Sequence, residues 1–340
     1  MNSFLSLAPA RRRKLCEEAG TQLDLPAASI EKDFWVCWTL RELFTLADFG
    51  PHLTFKGGTS LSKAWKLIAR FSEDIDVVID RSFLGFAGAQ APEAAPSNNQ
   101  REKRLEGLKA ACQAHIRERL QPALHKNLHD KLPAGLKWTL RADAADADQQ
   151  TLLFEYPAAL ASGAYLRPVV KIELGARSDT EPSARPEIRP YLAEVLPGEF
   201  KDSAFKIRTV APERTFWEKA MLLHEETYRS GASGPKARLA RHYYDLWRLI
   251  GAGIGDKALS DAALFARVAA HRAIFFRKSP EAHKSLRPGS LRLLPHENQR
   301  ALWAQDYEAM REVMFFGETP AFAEILSVVG DFERRFNTPP

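Results

Sequence analysis

The sequence predicts an α/β fold, a mixed sheet backed by helices and followed by a helical C-terminal domain. Three stretches carry that prediction. Residues 55–80, FKGGTSLSKAWKLIARFSEDIDVVID, join a glycine turn, an amphipathic helix and a short apolar strand that opens on two acids. Residues 136–174 hold three short runs, of which PVVKIEL alternates apolar and polar positions with the period of a strand. After Pro212 the apolar spacing changes to three and four, the spacing of helices. A chain of 340 residues is long enough for two compact parts. We divide it into N-terminal helices (1–50), a core (51–210) and a helical domain (211–340).

Hydrophobic content of 45% and charged content of 27% describe an ordinary globular protein. The net charge of +5 and pI near 9.0 lean toward a polyanionic partner, although a solvated basic surface gives the same balance. No apolar run reaches the length of a membrane span and the start of the chain lacks a signal-peptide segment, so a cytoplasmic location without a membrane partner is expected. Cys16, Cys37 and Cys112 are odd in number and not in Cys-x-x-Cys spacing, which fits free thiols.

Within residues 55–80, Gly57 and Gly58 allow a sharp turn and close approach to a ligand, and Thr59 and Ser60 are natural helix caps. Leu61, Ala64, Trp65, Leu67 and Ile68 then form an apolar helical stripe, with Lys63, Lys66 and Arg70 off it. Amide groups at such a turn favour anions. Asp74 and Asp76 lie on one face of the strand that runs into Val77–Ile79. Paired carboxylates repel unless a cation sits between them, and Mg2+ (or Mn2+) is the simplest choice. Taken alone an Asp-x-Asp pair is most often a surface turn or cap; the order glycine turn, helix, paired acids is what points to a site.

That order resembles the polymerase-beta-like nucleotidyltransferase superfamily. It is most similar to the AbiEii/AbiGii-type toxin nucleotidyltransferases, including MenT-like toxins, whose signature Arg-x-Ser/Thr-x-Asp-x-Asp is met by Arg70, Ser72, Asp74 and Asp76. The resemblance implies a mixed-sheet nucleotidyltransferase core. It also implies that Glu173, in PVVKIEL, joins Asp74 and Asp76 as a third metal carboxylate; from the alternation alone Glu173 is as readily a partner of Lys171 on an exposed face. Lys219 in APERTFWEKAMLLHEE matches the family's phosphate-contacting lysine, and Asp245 matches the second acid of a final motif whose first acid is replaced here by His242. The expected nucleotide site draws on Gly57, Gly58, Thr59, Ser60, Lys63, Arg70, Ser72, Lys171 and Lys219, and the expected catalytic set is Asp74, Asp76, Glu173, Lys219 and Asp245. The family further implies an NTP substrate, an RNA acceptor (the 3′ end of tRNA) and a cognate antitoxin. The rival readings are a small-molecule, antibiotic-type nucleotidyltransferase and a non-catalytic nucleotide or RNA binder of the same fold.

The remaining segments are read in chain order. ARRRKLCEEAGTQLDL and SIEKDFWVCWTLRELF are helices separated at Pro26; Glu31, Lys32 and Asp33 read as first-turn capping and solvation, and Glu-Lys-Asp before an aromatic helix also recurs in the toxin family. Residues 81–99 carry no period and read as a mobile loop. Residues 100–129 form a charged helix, either a solvated face or a track for RNA phosphates. Strands at 136–140 and 152–156 flank the acidic turn ADAADADQQ, which lacks the glycine and glutamate of a calcium loop. A strand is expected at 205–210 and a flexible loop at 228–236. His224 and His242 are acid-base candidates, though helix histidines in polar contacts are the commoner case. The connector RKSPEAHKSLRPGSLRLLP, with Arg277, Lys278, Lys284, Arg287 and Arg292, is a candidate nucleic-acid contact.

Overall fold

The computed structural model describes the chain except residues 73, 161–166, 201–202, 230–234, 277–278, 318 and 339–340. Arg277 and Lys278 of the basic connector, and Gly231, Ser233 and Gly234 of the expected flexible loop, lie outside the described residues. The chain forms two compact units, one of Met1–Ala64 with Ser72–Thr209 and one of Trp65–Phe71 with Val210–Pro340.

The first unit is built on a mixed sheet. Its strands are β1 (Leu53–Lys56), β2 (Asp74–Ile79), β3 (Thr139–Ala142), β4 (Thr151–Glu155), β5 (Val169–Gly175), β6 (Ser183–Ala184) and β9 (Thr209–Val210), in the order β3-β4-β5-β2-β1-β9-β6. β7 (Glu187–Ile188) and β8 (Phe205–Lys206) form a separate antiparallel pair. The expected strand at 205–210 is therefore two short pieces that pair in different sheets. β2 is antiparallel to β1 and parallel to β5, with Asp74 opposite Lys171 and Asp76 opposite Glu173. The hairpin β3–β4 encloses the acidic turn, where Asp146 accepts from the Gln150 and Asp148 amides at 2.9 Å.

Helices α1 (Asn2–Leu5), α2 (Pro9–Leu23) and α3 (Ala27–Phe44) precede the sheet. α3 is buried almost all round, as a helix lacking a polar face must be, and it packs on β2 and β5. Its Trp35 stacks on Tyr156 at 5.3 Å and meets Phe154 edge-on at 6.0 Å. Burial on every side corrects the reading of Glu31, Lys32 and Asp33 as solvated. Glu31 accepts from the amides of Ala159 (2.7 Å) and Leu160 (3.1 Å), Lys32 donates to the Arg167 carbonyl, and Asp33 accepts from the Tyr191 amide at 2.6 Å. A buried charge persists only when its hydrogen bonds are met, and these three are anchors for distant chain.

α4 (Gly57–Thr59) runs into a π-helical turn at Ser60–Ala64 and stops. The helix expected to reach Arg70 ends there, because Lys66 is left-handed (φ 54°) and residues 65–71 belong to the second unit. Residues 81–99 contain two short 3-10 turns; Arg81 pairs with Glu93 at 2.5 Å and Phe83 stacks on His52 at 3.9 Å. α5 (Asn98–His115), a π-helical turn and α6 (Gln121–Lys131) make the long charged helix. Leu108, Cys112, Ile116, Leu120, Leu124 and Leu128 are its buried stripe, spaced by four throughout, and the wider π turn helps keep a four-residue repeat on one side. α7 (Tyr191–Val195) is a short helix that the proline-rich segment did not suggest.

The second unit is helical: α8 (Pro212–Thr227), α9 (Arg241–Gly251), α10 (Ile254–Ser260), α11 (Ala262–Phe275), α12 (Pro280–Lys284), α13 (Arg300–Met314) and α14 (Phe322–Asn337). Phe216 meets Phe332 at 4.8 Å, Trp217 meets Phe265 at 4.8 Å and Tyr243 meets Trp303 at 5.1 Å. Among the described residues, no helix is long and apolar enough to cross a membrane.

Glu31→Ala leaves two buried amides without an acceptor and removes a carboxylate near Arg12. We expect a loss of about 2–5 kcal/mol in chemical denaturation, with Glu31→Gln recovering part of it; a change within about 0.5 kcal/mol contradicts the anchor role.

Candidate active site

The alternation of β2 and β5 puts Ile75, Val77, Ile172 and Leu174 on the buried face. It leaves Asp74, Asp76, Lys171 and Glu173 half-buried on the other. The parallel register sets Asp76 beside Glu173 within hydrogen-bond reach. Burial first, then the charge of Glu173, pushes the Asp76 carboxyl up to about 7; Lys56 opposes the rise and Asp74 adds to it. Lys56, opposite Asp76 on β1, donates to Ser178 Oγ at 2.9 Å. Neither Lys56 nor Ser178 was read from the sequence, since only the β1–β2 register brings that lysine to the acids.

The glycine turn meets the same carboxylate. Gly57 has φ +81°, and a Cβ built there would lie 2.0 Å from Asp76 Oδ2. Position 57 needs glycine both for its dihedral and for the room that Asp76 takes. Gly57 and Gly58 are partly open to solvent, whereas Thr59 and Ser60 are wholly buried. Thr59 Oγ1 lies 2.7 Å from Ser72 Oγ and 2.5 Å from the Asp74 carbonyl, and Ser60 Oγ donates to the Gly57 carbonyl at 2.8 Å. The Thr59 hydroxyl thus fastens the turn to β2 beside Ser72, and Ser60 braces the turn itself, so both side chains are engaged inside the protein.

The expectation for Lys63 is corrected. It is 4% exposed, its ammonium lies 2.6 Å from Asp33 Oδ1 and it sits over the Tyr191 ring at 3.6 Å. That buried pairing leaves it no path to a ligand. Lys171 remains on the open face, 2.5 Å from Glu173 Oε1, so the cross-face partnership and the proximity to the paired acids are both present.

The second unit gathers Arg70, Lys219, His242 and Asp245. Arg70 Nε and Nη2 lie 2.7 and 2.9 Å from the two Asp245 oxygens, and Lys219 Nζ lies 2.8 Å from Oδ2. Asp245 is wholly buried; Arg70 and then Lys219 outweigh desolvation and hold its carboxyl well below the usual range. Both Asp245 oxygens are engaged by these two cations, and Arg70, 4% exposed, makes its two-point contact there. Lys219 is 7% exposed and approaches His242 Nδ1 at 3.4 Å. Burial, then Lys219, keeps His242 well below its ordinary pKa, and burial also lowers that of Lys219 against the pull of Asp245. His224 is wholly buried, accepting from the Arg292 amide and facing Ser285 Oγ and the Ala282 carbonyl; it is a structural histidine.

A divalent metal suits the donor chemistry of the first unit's face. Asp74, Asp76 and Glu173 offer oxygen ligands only, and the raised proton affinity of Asp76 records a carboxylate pair short of positive charge. Among the described residues, however, no three acids or histidines converge as a ready metal cage. Glu173 instead leans on Lys171.

Two predictions follow from these charges. A folded-state pKa of Asp76 near 7, above the ordinary 3.8, means that its protonated form contributes stability that is fully present below about pH 4 and lost as pH rises through about 7. Asp76→Asn, neutral throughout, should therefore melt above the wild type at about pH 8 in chelator and match it near pH 4; identical melting curves at both pH values would contradict the carboxylate crowding. Asp245→Asn strands two buried cations and should cost about 3–5 kcal/mol in denaturant titration; an unchanged midpoint would return Asp245 to the list of free acids.

No curated protein matches the chain. A solved structure, MenT4, the nucleotidyltransferase toxin Rv2826c from Mycobacterium tuberculosis H37Rv, is similar at 15% identity with a TM-score of 0.38, covering 95% of this chain and 99% of that one. The sequence profile of the nucleotidyl transferase AbiEii toxin family, described as a type IV toxin-antitoxin system, matches residues 38–328. A match over that span shows the family: the chain belongs to the AbiEii nucleotidyltransferase toxins.

Proposed function

We propose that the open face of β2 and β5 transfers a nucleoside monophosphate from an NTP to a hydroxyl of an RNA acceptor, the 3′ end of tRNA, and so blocks translation. The acceptor oxygen bonds to the α-phosphorus, the bond to the β-phosphate oxygen breaks, and pyrophosphate leaves. The observation that carries this reading is the approach of the Gly57 backbone to Asp76, with Glu173 in register beside it. Asp74, Asp76 and Glu173 would hold Mg2+ or Mn2+, which when bound activates the acceptor oxygen and neutralises phosphate charge. Gly57 and Gly58 are partly open to solvent and would face the phosphates, and Lys56 and Lys171 add positive charge on the same face. The family resemblance assigns Lys219 a phosphate contact.

An RNA acceptor is supported by the net charge of +5 and by Lys284, Arg287 and Arg292, exposed side chains of the basic connector. The long helix supports it less, because Lys109 pairs with Asp148, Arg117 with Glu118 and Lys126 with Asp130. A cognate antitoxin follows from membership of a toxin-antitoxin family.

The test is transfer of label from each α-labelled NTP to total tRNA, with Mg2+ and with chelator. Label should enter RNA only with metal, and Asp76→Ala should reduce it at least about a thousandfold, the scale of losing an electrostatic catalytic group. Label entering an aminoglycoside in place of RNA selects the small-molecule reading, and no metal-dependent transfer to any acceptor removes the enzyme.

A further inference from the structure

β5 presents Lys171 and Glu173 two residues apart, and both project from the face that carries Asp74 and Asp76. Lys171 is opposite Asp74 and its ammonium reaches Glu173, while Asp74 and Asp143 also attract it. The two lysines of this face differ. Lys56 is half-buried and anchored to Ser178 Oγ, whereas the Lys171 and Glu173 side chains are 37% and 40% exposed and can swing. An ammonium 2.5 Å from Glu173 Oε1 repels a divalent ion that approaches the same carboxylate and competes with it for that charge.

We propose that Lys171 is a resident counter-ion: it neutralises Glu173 while the carboxylate face holds no divalent cation, and it is displaced when the cation binds. The inference rests on the metal-carboxylate reading above and deepens it. Displacement has two consequences. Metal affinity is set partly by the cost of breaking the Lys171–Glu173 pair, which keeps the face weak for metal alone. The released ammonium, on a four-carbon stem beside the acids, is then available to an anionic group of the substrate, so metal and triphosphate favour each other's binding.

Mn2+ alone supplies the test, with free Mn2+ followed by electron paramagnetic resonance on the full chain and no nucleotide. Lys171→Met removes the charge and keeps the apolar stem; it should bind Mn2+ about tenfold more tightly than the wild type, the scale of removing one cation near a partly solvated ligand. Lys171→Arg should bind as the wild type does, and Asp76→Asn more weakly than either. In melting curves, Lys171→Met should fall below the wild type in chelator and gain more from Mg2+ than the wild type gains. A structural role alone would lower both curves equally and leave Mn2+ affinity unchanged. Wild-type binding with no tightening in Lys171→Met overturns the counter-ion role while the metal site stands; no Mn2+ binding by either protein overturns both. Lys171→Gln provides the same loss of charge should the methionine variant not fold.

Discussion

The parallel register between β2 and β5 is the constraint on which the site depends. Ile75, Val77, Ile172 and Leu174 are each at most 5% exposed. Full burial of such side chains is worth about 1.5–3 kcal/mol apiece, so the four together favour this register by roughly 6–12 kcal/mol. A slip of one residue would turn all of one strand's side chains to the opposite face. That stake is comparable to the whole stability of a typical domain, about 5–15 kcal/mol. The repulsion of Asp76 and Glu173, half-exposed and flanked by lysines, is smaller and is tolerated. Apolar burial therefore decides where the acids stand, and the acids then decide what can approach: Gly57 has to be glycine because Asp76 fills the space a Cβ would take.

A second constraint governs residues 65–71, which carry no regular secondary structure and must still satisfy their backbone. The Phe71 amide donates to the Met314 carbonyl at 2.6 Å, the Ala69 carbonyl accepts from Phe316 at 2.9 Å and from Tyr244 Oη at 3.1 Å, and Trp65 Nε1 donates to the Val210 carbonyl at 3.0 Å. Arg70 completes the attachment through its two-point contact with Asp245. An anion held between two cations in a dry site is an expensive arrangement that becomes favourable only when every oxygen is used. The signature Arg-x-Ser-x-Asp-x-Asp thus divides its labour. Its arginine fixes backbone in the second unit, its serine is hydrogen-bonded to the Thr59 hydroxyl, and its aspartates face outward from β2.

The elements legible in the sequence are those whose information is local. β2 and β5 follow from alternation, α8 and α9 from three-and-four spacing, and the hairpin from its acidic turn. The glycine turn with paired acids was equally local. What escaped is long-range. The stripe Leu61, Ala64, Ile68 is buried as helical spacing predicts, yet the helix stops at Ala64 because the following backbone finds its partners more than 140 residues away. Glu31, Lys32 and Asp33 resemble first-turn caps, but their partners are at Ala159, Arg167 and Tyr191. One signal was available: a helix with aromatic or aliphatic residues all round is buried all round, so any charge within it must have an assigned partner. Lys63, the partner of Asp33, was assigned to the nucleotide for want of that deduction.

The same distinction separates structural charges from reactive ones. Glu31, Asp33 and Asp245 are nearly or wholly inaccessible, and each has opposite charge or amide donors within 2.6–3.1 Å. At Asp245 the two cations outweigh burial and hold the carboxyl down, whereas at Glu31 and Asp33 burial outweighs their partners and pushes the carboxyls up. Asp76 and Glu173 differ in that each has the other, a like charge, among its neighbours; burial first and then the charge of Glu173 push the Asp76 carboxyl up to about 7. A protein gains no stability from such a pair. The pair stands against the Gly57 turn, on the face whose metal and phosphate chemistry is proposed above. The apolar register of β2 and β5 keeps the two like charges side by side in spite of their repulsion.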